Sequence, residues 1–221
     1  MITKQGVLIE RARREYKKVF IDKIGVNYQY RQINGEELAY QYNPSSRILN
    51  LLFDGSNSCK EWASNLKVLK KQSNDISDNS KAMFHKGFYD TFEFMWEGFL
   101  KDLIESKNIK RIYIRGHSRG AVAALLTHRK IKKYYKRIIP YGIGFGMPCC
   151  MNLSAALECN IYEYTHDFIS VEHYQDIVPH VLKHKMGYEP APCKYVYTGS
   201  KWARRFRFWK RIYPHTHYFD K

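Results

Sequence analysis

The stretch Arg111-Ile112-Tyr113-Ile114-Arg115-Gly116-His117-Ser118-Arg119-Gly120-Ala121-Val122-Ala123-Ala124-Leu125-Leu126 decides how the rest of the chain is read. Residues 111–115 read as a short strand, and residues 121–135 carry helical spacing. Between them lies Gly-x-Ser-x-Gly, from Gly116 to Gly120. A chain that leaves a strand and enters a helix within five residues must double back sharply. The flanking glycines remove the β-carbons that would collide there. Such a turn exposes the serine oxygen at a helix N-terminus, where developing negative charge is favoured. Glycine and serine can produce this pattern by accident, so the strand before it and the helix after it carry the weight. Ser118 is therefore a candidate nucleophile.

Working outward, residues 4–22 place Val7, Leu8, Ala12, Tyr16, Val19 and Phe20 between charges, which is the spacing of a basic amphipathic helix. A β-meander follows. Residues 26–33 alternate, Asn34-Gly35 is the strongest short hairpin signal, and residues 36–42 return. Residues 47–53 form an apolar run expected to be buried on both faces inside a mixed sheet. Helical periodicity resumes over residues 87–106 through Phe88, Phe92, Met95, Phe99 and Leu103. Residues 137–145 read as a strand, 154–158 as a short helix, and 161–171 as a mixture of strand and loop. Strands alternating with helices imply an α/β fold, with a mainly parallel central sheet flanked by helices and an N-terminal antiparallel meander. No repeat or Gly/Ser linker divides residues 1–221, so one domain is expected, with residues 1–22 as its basic N-terminal helix.

Composition narrows the function. Apolar residues make up 44% of the 221, enough to offset the ordering entropy of a real core. Lys and Arg number 37 against 21 Asp and Glu, giving a formal net charge of +16 that suits nucleic acid, anionic membrane surfaces or acidic partners. The cysteines Cys59, Cys149, Cys150, Cys159 and Cys193 contain no C-x-x-C pair, which argues against a disulfide framework or a thiolate zinc site. The N-terminus lacks the apolar core of a signal peptide, and no apolar run approaches the ~20 residues that span a bilayer. A cytoplasmic location is expected, with a specialised export route still open. H-E-x-x-H and G-x-x-x-x-G-K-[ST] are both absent, so neither a metal nor a nucleotide cofactor is expected.

A nucleophilic serine needs a base, and the base an orienting acid. Seven histidines follow Ser118: His128, His166, His173, His180, His184, His215 and His217. The residues alone do not choose among them. Asp176, in Asp176-Ile177-Val178-Pro179, sits after a strand where an acid loop belongs, with Asp167 as its rival.

These segments together resemble the fungal-type (class 3) triacylglycerol lipase family of the α/β-hydrolases. Phe53-Asp54-Gly55-Ser56, followed by Glu61-Trp62 and Asn65-Leu66, is similar to the family's oxyanion strand end and lid start. His85-Lys86-Gly87-Phe88 is similar to its H-x-G-F, and Gly116 to Gly120 to its elbow. Gly144-Phe145-Gly146-Met147-Pro148 resembles its F-G-x-P turn, Asp176-Ile177-Val178-Pro179 its D-x-V-P loop, and His215-Thr216-His217-Tyr218-Phe219 its H-x-x-Y-F. The matches run in the family's order from about residue 36 to the C-terminus. The resemblance implies a serine lipase or esterase with Ser118 as nucleophile, Asp176 as orienting acid and His215 as base, His217 being the neighbour. It implies an oxyanion hole made by the backbone N–H groups of Ser56 and Arg119, the Ser56 hydroxyl helping.

Two positions depart from the family, which has arginine where Asp54 stands and an apolar residue where Arg119 stands. An Asp54–Arg119 ion pair clamping the two donor loops is the expectation, with an Arg119 that projects to solvent or to an anionic substrate as the alternative. The stretch that resembles a lid, residues 57–64, offers Trp62 and little other apolar surface, and residues 67–84 read as an exposed polar loop. Such a lid fits short or amphiphilic esters. In residues 201–213, Trp202, Phe206, Trp209 and Tyr213 share a helical face with six cations around it. That arrangement suits an anionic membrane surface and a phospholipid substrate, or equally a terminal helix anchored on the sheet. Basic and aromatic side chains also suit nucleic acid, but no nucleic-acid motif accompanies them. The competing reading is an inactive hydrolase scaffold that binds membranes or nucleic acid.

Overall fold

A computed structural model describes residues 4–22, 27–55, 70–162, 167–173, 176–180, 186–190, 194–197 and 218–219. Helix α1, Lys4–Tyr16, continues into a π turn at Lys17–Ile21. Strands β1, Gln29–Ile33, and β2, Glu36–Asn43, pair antiparallel with Ile33 opposite Glu36. The two residues between them adopt left-handed φ values, +50° at Asn34 and +79° at Gly35, as the Asn-Gly signal requires. Strand β3, Ile48–Phe53, runs antiparallel to β2 on one side and parallel to β6, Arg111–His117, on the other. It is the seam between meander and parallel sheet, which is why its apolar run is continuous.

Beyond β6 the sheet continues in parallel through β7, Ile139–Phe145, β8, Phe168–His173, and β9, Lys194–Tyr197. Among the described residues the seven strands lie in the order β1-β2-β3-β6-β7-β8-β9. Period-two alternation sorts their side chains into two layers. Leu38, Leu49, Leu51, Ile112 and Ile114 face one core, with Phe88, Phe92, Trp96, Leu100 and the apolar side of α4, Arg119–Tyr134. Ala39, Leu52, Phe145 and Val171 face the other, where Ile9, Ala12, Tyr16, Val19 and Phe20 of the N-terminal helix meet Tyr218 and Phe219.

The helix expected over residues 87–106 is α2, Lys86–Met95, a π turn at Trp96–Leu100, and α3, Lys101–Glu105. The short helix expected at residues 154–158 is α5, Leu153–Tyr162, twice as long at its borders. Strand β9 has no counterpart in the sequence pattern. Residues 67–84 are not simply an exposed loop. Lys70–Gln72, β4, pairs antiparallel with Met83–His85, β5, and Ser73, Ile76, Ser77 and Ala82 are buried. The cause is long-range: the Ser77 hydroxyl bonds to Glu158 of α5, and Arg129 of α4 reaches the Ile76 carbonyl.

Candidate active site

Strand β6 delivers Ser118 into φ +54°, ψ −124°, a backbone region that non-glycine residues rarely occupy. The packing explains how this strain persists. A β-carbon on Gly116 would lie 2.1 Å from the Gly120 carbonyl, and one on Gly120 would lie 2.5 Å from the Phe53 carbonyl. One on Gly55 would lie 2.4 Å from the His117 carbonyl and 2.8 Å from the Ser118 β-carbon. The end of β3, the elbow and the start of α4 are thus in backbone contact. The Ser118 N–H donates to the Phe145 carbonyl at 2.8 Å, pinning the turn to the end of β7. Its side chain makes no capping bond to its own helix, so the hydroxyl is not used up locally.

Asp176 lies just past β8 and is buried. Its Oδ1 accepts from the Val178 N–H at 2.9 Å, and its Oδ2 from the Tyr218 hydroxyl at 2.9 Å. Tyr218 in turn accepts from the His173 N–H at 2.7 Å. Burial and the Asp176 charge hold the Tyr218 hydroxyl well above the ordinary phenol range, so it is a donor. Phe219 stacks on Tyr16 at 4.4 Å and packs edge-on against His117 at 5.3 Å. The end of the H-x-x-Y-F segment therefore lies between the elbow and the acid loop. Tyr218 is not legible in the sequence as a contributor, because its motif shows there and the partner of its hydroxyl does not.

Of the sequence-derived site residues, Ser118, Arg119 and Asp176 are described, and the fold gathers their loops at the carboxyl ends of β6 and β8. Ser56, His215 and His217 lie outside the described residues, as do 57–64 and 201–213. His85 serves the fold, since its ring nitrogen accepts from the Phe88 N–H at 3.4 Å and caps α2. Burial depresses its pKa, which keeps the ring an acceptor. Asp167, the rival acid, pairs with Lys132 at 2.7 Å.

The expected Asp54–Arg119 clamp is replaced. Among the described residues the ion pair of Arg119 is with Glu36, at the start of β2. Burial raises the Glu36 carboxyl above its ordinary pKa, while the Arg119 charge pulls it back. Asp54 Oδ1 accepts the Tyr16 hydroxyl at 2.8 Å, and the same hydroxyl accepts the Gly55 N–H at 3.3 Å. Sequence reasoning missed Tyr16 and Glu36, because each meets the site only through tertiary packing. A cleft of about 1410 Å³ opens elsewhere, along α1 and the sheet, with Glu15, Tyr113, Arg115, Tyr141 and Ile143 among its lining. It is not where the elbow chemistry lies. No cluster of metal-ligating side chains occurs among the described residues.

The model of the Lipase (class 3) family matches residues 50–186, from the middle of β3 to beyond the acid loop. The chain belongs to the class 3 lipase family. It is accordingly a serine carboxylic-ester hydrolase with an α/β-hydrolase fold. The fold is similar to that of the triacylglyceride lipase of Rhizomucor miehei, with a TM-score of 0.67, 16% identity, and coverage of 88% of this chain and 81% of that one. It is similar to the Lip2 lipase of Yarrowia lipolytica, with a TM-score of 0.67, 17% identity, and coverage of 86% and 79%. The lipase of Rhizopus microsporus var. chinensis gives a TM-score of 0.63 at 18% identity, over 85% of this chain and 73% of that one. No curated protein matches this class 3 lipase by sequence.

Proposed function

We propose that this lipase cleaves esters through an acyl-enzyme, with Ser118 as nucleophile, His215 as general base and acid, and Asp176 as the group that orients the imidazole. The Ser118 oxygen attacks the ester carbonyl while His215 takes its proton. The oxyanion of the tetrahedral intermediate accepts the backbone N–H groups of Ser56 and Arg119, each such donor contributing ~2.7–4 kcal/mol in the transition state. Collapse expels the alcohol, protonated by His215, and leaves Ser118 acylated. Water, deprotonated by His215, then attacks the acyl carbon and restores the serine.

The observation that carries this reading is the Tyr218–Asp176 bond, which ties the end of the H-x-x-Y-F segment to the buried acid loop beside the strained Ser118 turn. Hydrolysis of p-nitrophenyl esters of graded acyl length tests it. Wild-type turnover and fluorophosphonate labelling are expected, with labelling abolished in Ser118→Ala and turnover reduced ~10⁴–10⁶-fold. A wild type inert on every chain length and unlabelled would favour the inactive scaffold instead.

The substrate class proposed is an amphiphilic lipid ester, phospholipid included, docked through the cations and aromatics of residues 201–213. Salt-sensitive binding to vesicles of phosphatidylserine and phosphatidylcholine, but not to DNA, is the expected result. Binding to DNA alone would overturn it. Placement in the cytoplasm is part of the same proposal, supported by an odd set of five cysteines with no C-x-x-C pair, which suits a reducing compartment.

A further inference from the structure

The catalytic reading requires two backbone donors from different places: the segment after β3, ending in Ser56, and the first residue of α4, Arg119. Neither segment is anchored by the sheet alone. Each is instead gripped by a side chain from the N-terminal part of the chain, outside residues 50–186 that match the family. Tyr16 is fully buried at the end of α1, its ring held by Phe20, Phe219 and His117. Its hydroxyl donates to Asp54 at 2.8 Å and accepts the Gly55 N–H at 3.3 Å. Two consecutive residues are therefore fixed by one oxygen, immediately before Ser56. Glu36, buried at the start of β2, forms an ion pair with Arg119.

These two grips meet. Gly55 abuts the His117 carbonyl and the Ser118 β-carbon, and Gly120 abuts the Phe53 and Asp54 carbonyls. With the backbones this close, a small shift of the Asp54–Gly55 segment or of the α4 start changes the spacing between the two donors and the nucleophile. Oxyanion donors act through placement, and displacements of about 1 Å are costly.

We propose that Tyr16 and Glu36 are positioning residues that set the oxyanion hole, Tyr16 by holding the Asp54–Gly55 segment and Glu36 by holding Arg119. The inference rests on the proposed Ser118 mechanism. It predicts a defect confined to the transition state, because the donors contact charge that develops only there. Tyr16→Phe keeps the ring and its packing but removes the hydroxyl, and Glu36→Gln keeps the shape but removes the charge.

The test measures p-nitrophenyl ester hydrolysis per active site titrated with a fluorophosphonate, so that misfolded protein does not count. For both variants kcat is expected to fall about 10–100-fold with KM within about 2-fold. The rate ratio between an ester and its thionoester is a second readout. Sulfur accepts hydrogen bonds poorly, so the ratio is large when the donors are well placed and falls in the variants. A residue needed only for folding would lower the titratable fraction and leave both readouts unchanged. If Tyr16→Phe does not fold, Asp54→Ala removes the partner of the hydroxyl, and the same falls are expected. A wild type that is active, beside variants with undiminished kcat per site and an unchanged ratio, overturns this inference alone. A wild type that neither turns over nor labels overturns the inference together with the mechanism beneath it.

Discussion

His128 is a histidine whose pKa the fold displaces strongly. It is fully buried on α4, neither ring nitrogen makes a hydrogen bond of good geometry, and the Phe168 ring lies edge-on at 5.5 Å. Burial, reinforced by the Lys132 and Arg129 charges, pushes its pKa down to about 3 against the pull of Asp167 and the Pro140 carbonyl. The unfolded chain, with an ordinary imidazole near ~6.5, binds more protons than the fold between those values. Stability is therefore lost as pH falls from about 6.5 towards 3, by about 2 kcal/mol between pH 7 and pH 5. Urea unfolding at the two pH values checks this, and His128→Phe should remove most of the difference. The same scale explains what the sequence concealed. Ser118 is legible because strand, turn and helix are local, and its glycines state the crowding in advance. The partner of Arg119 is not. Asp54 is the nearer carboxylate in the motif, but Glu36 wins because antiparallel pairing brings the start of β2 beside the end of β3, where Leu38 faces Phe53. A charge that departs from a family pattern reveals that a partner exists and leaves open which one.

At the scale of elements, α4 is held less by its apolar face alone than by a buried polar joint at its middle. Arg129 meets Glu158 of α5 at 3.3 Å, and both side chains are under one tenth exposed. Glu158 also accepts the Asp78 N–H at 3.2 Å and the Ser77 hydroxyl, which folds the stretch between β4 and β5 onto the helices. Glu158→Ala leaves a guanidinium buried without this carboxylate, so a loss of about 3–5 kcal/mol is expected in chemical denaturation. Replacing both partners, Arg129→Met with Glu158→Leu, should recover most of that loss, since neither charge then remains to be desolvated. Additive losses in the double variant would contradict this. The ribbon of β4 and β5 was illegible for the same reason. Lys70-Lys71-Gln72 is too short and polar to show a period, and what orders it lies far along the chain. The helices and long strands, by contrast, bury one face each, so their periodicity survives in the sequence.

At the scale of the molecule, the second core layer joins the two ends of the chain. The meander, the switch to parallel strands and the elbow follow from local patterns, and the expected α/β-hydrolase architecture is the one observed. What local pattern does not contain is the closure of the second sheet face by α1 and by Tyr218 and Phe219. Those residues meet where Tyr16 stacks on Phe219, with His117 and Phe145 against the same ring. The energetic consequence is large. Burying Ile9, Val19 and Phe20 contributes roughly 5–9 kcal/mol at ~1.5–3 kcal/mol per side chain, an upper estimate but comparable to the ~5–15 kcal/mol net stability of a whole domain. A protein lacking residues 1–22 would expose that face of Ala39, Leu52, Phe145 and Val171, and lose the Tyr16 hydroxyl as well. It is expected to elute as aggregate in size-exclusion chromatography and to lack fluorophosphonate labelling. Val7→Ser with Leu8→Ser, on the exposed side of the same helix, should leave elution and labelling unchanged. A soluble, labelled truncation would mean that the N-terminal helix is an accessory to this fold, whereas the packing makes it the second half of the core.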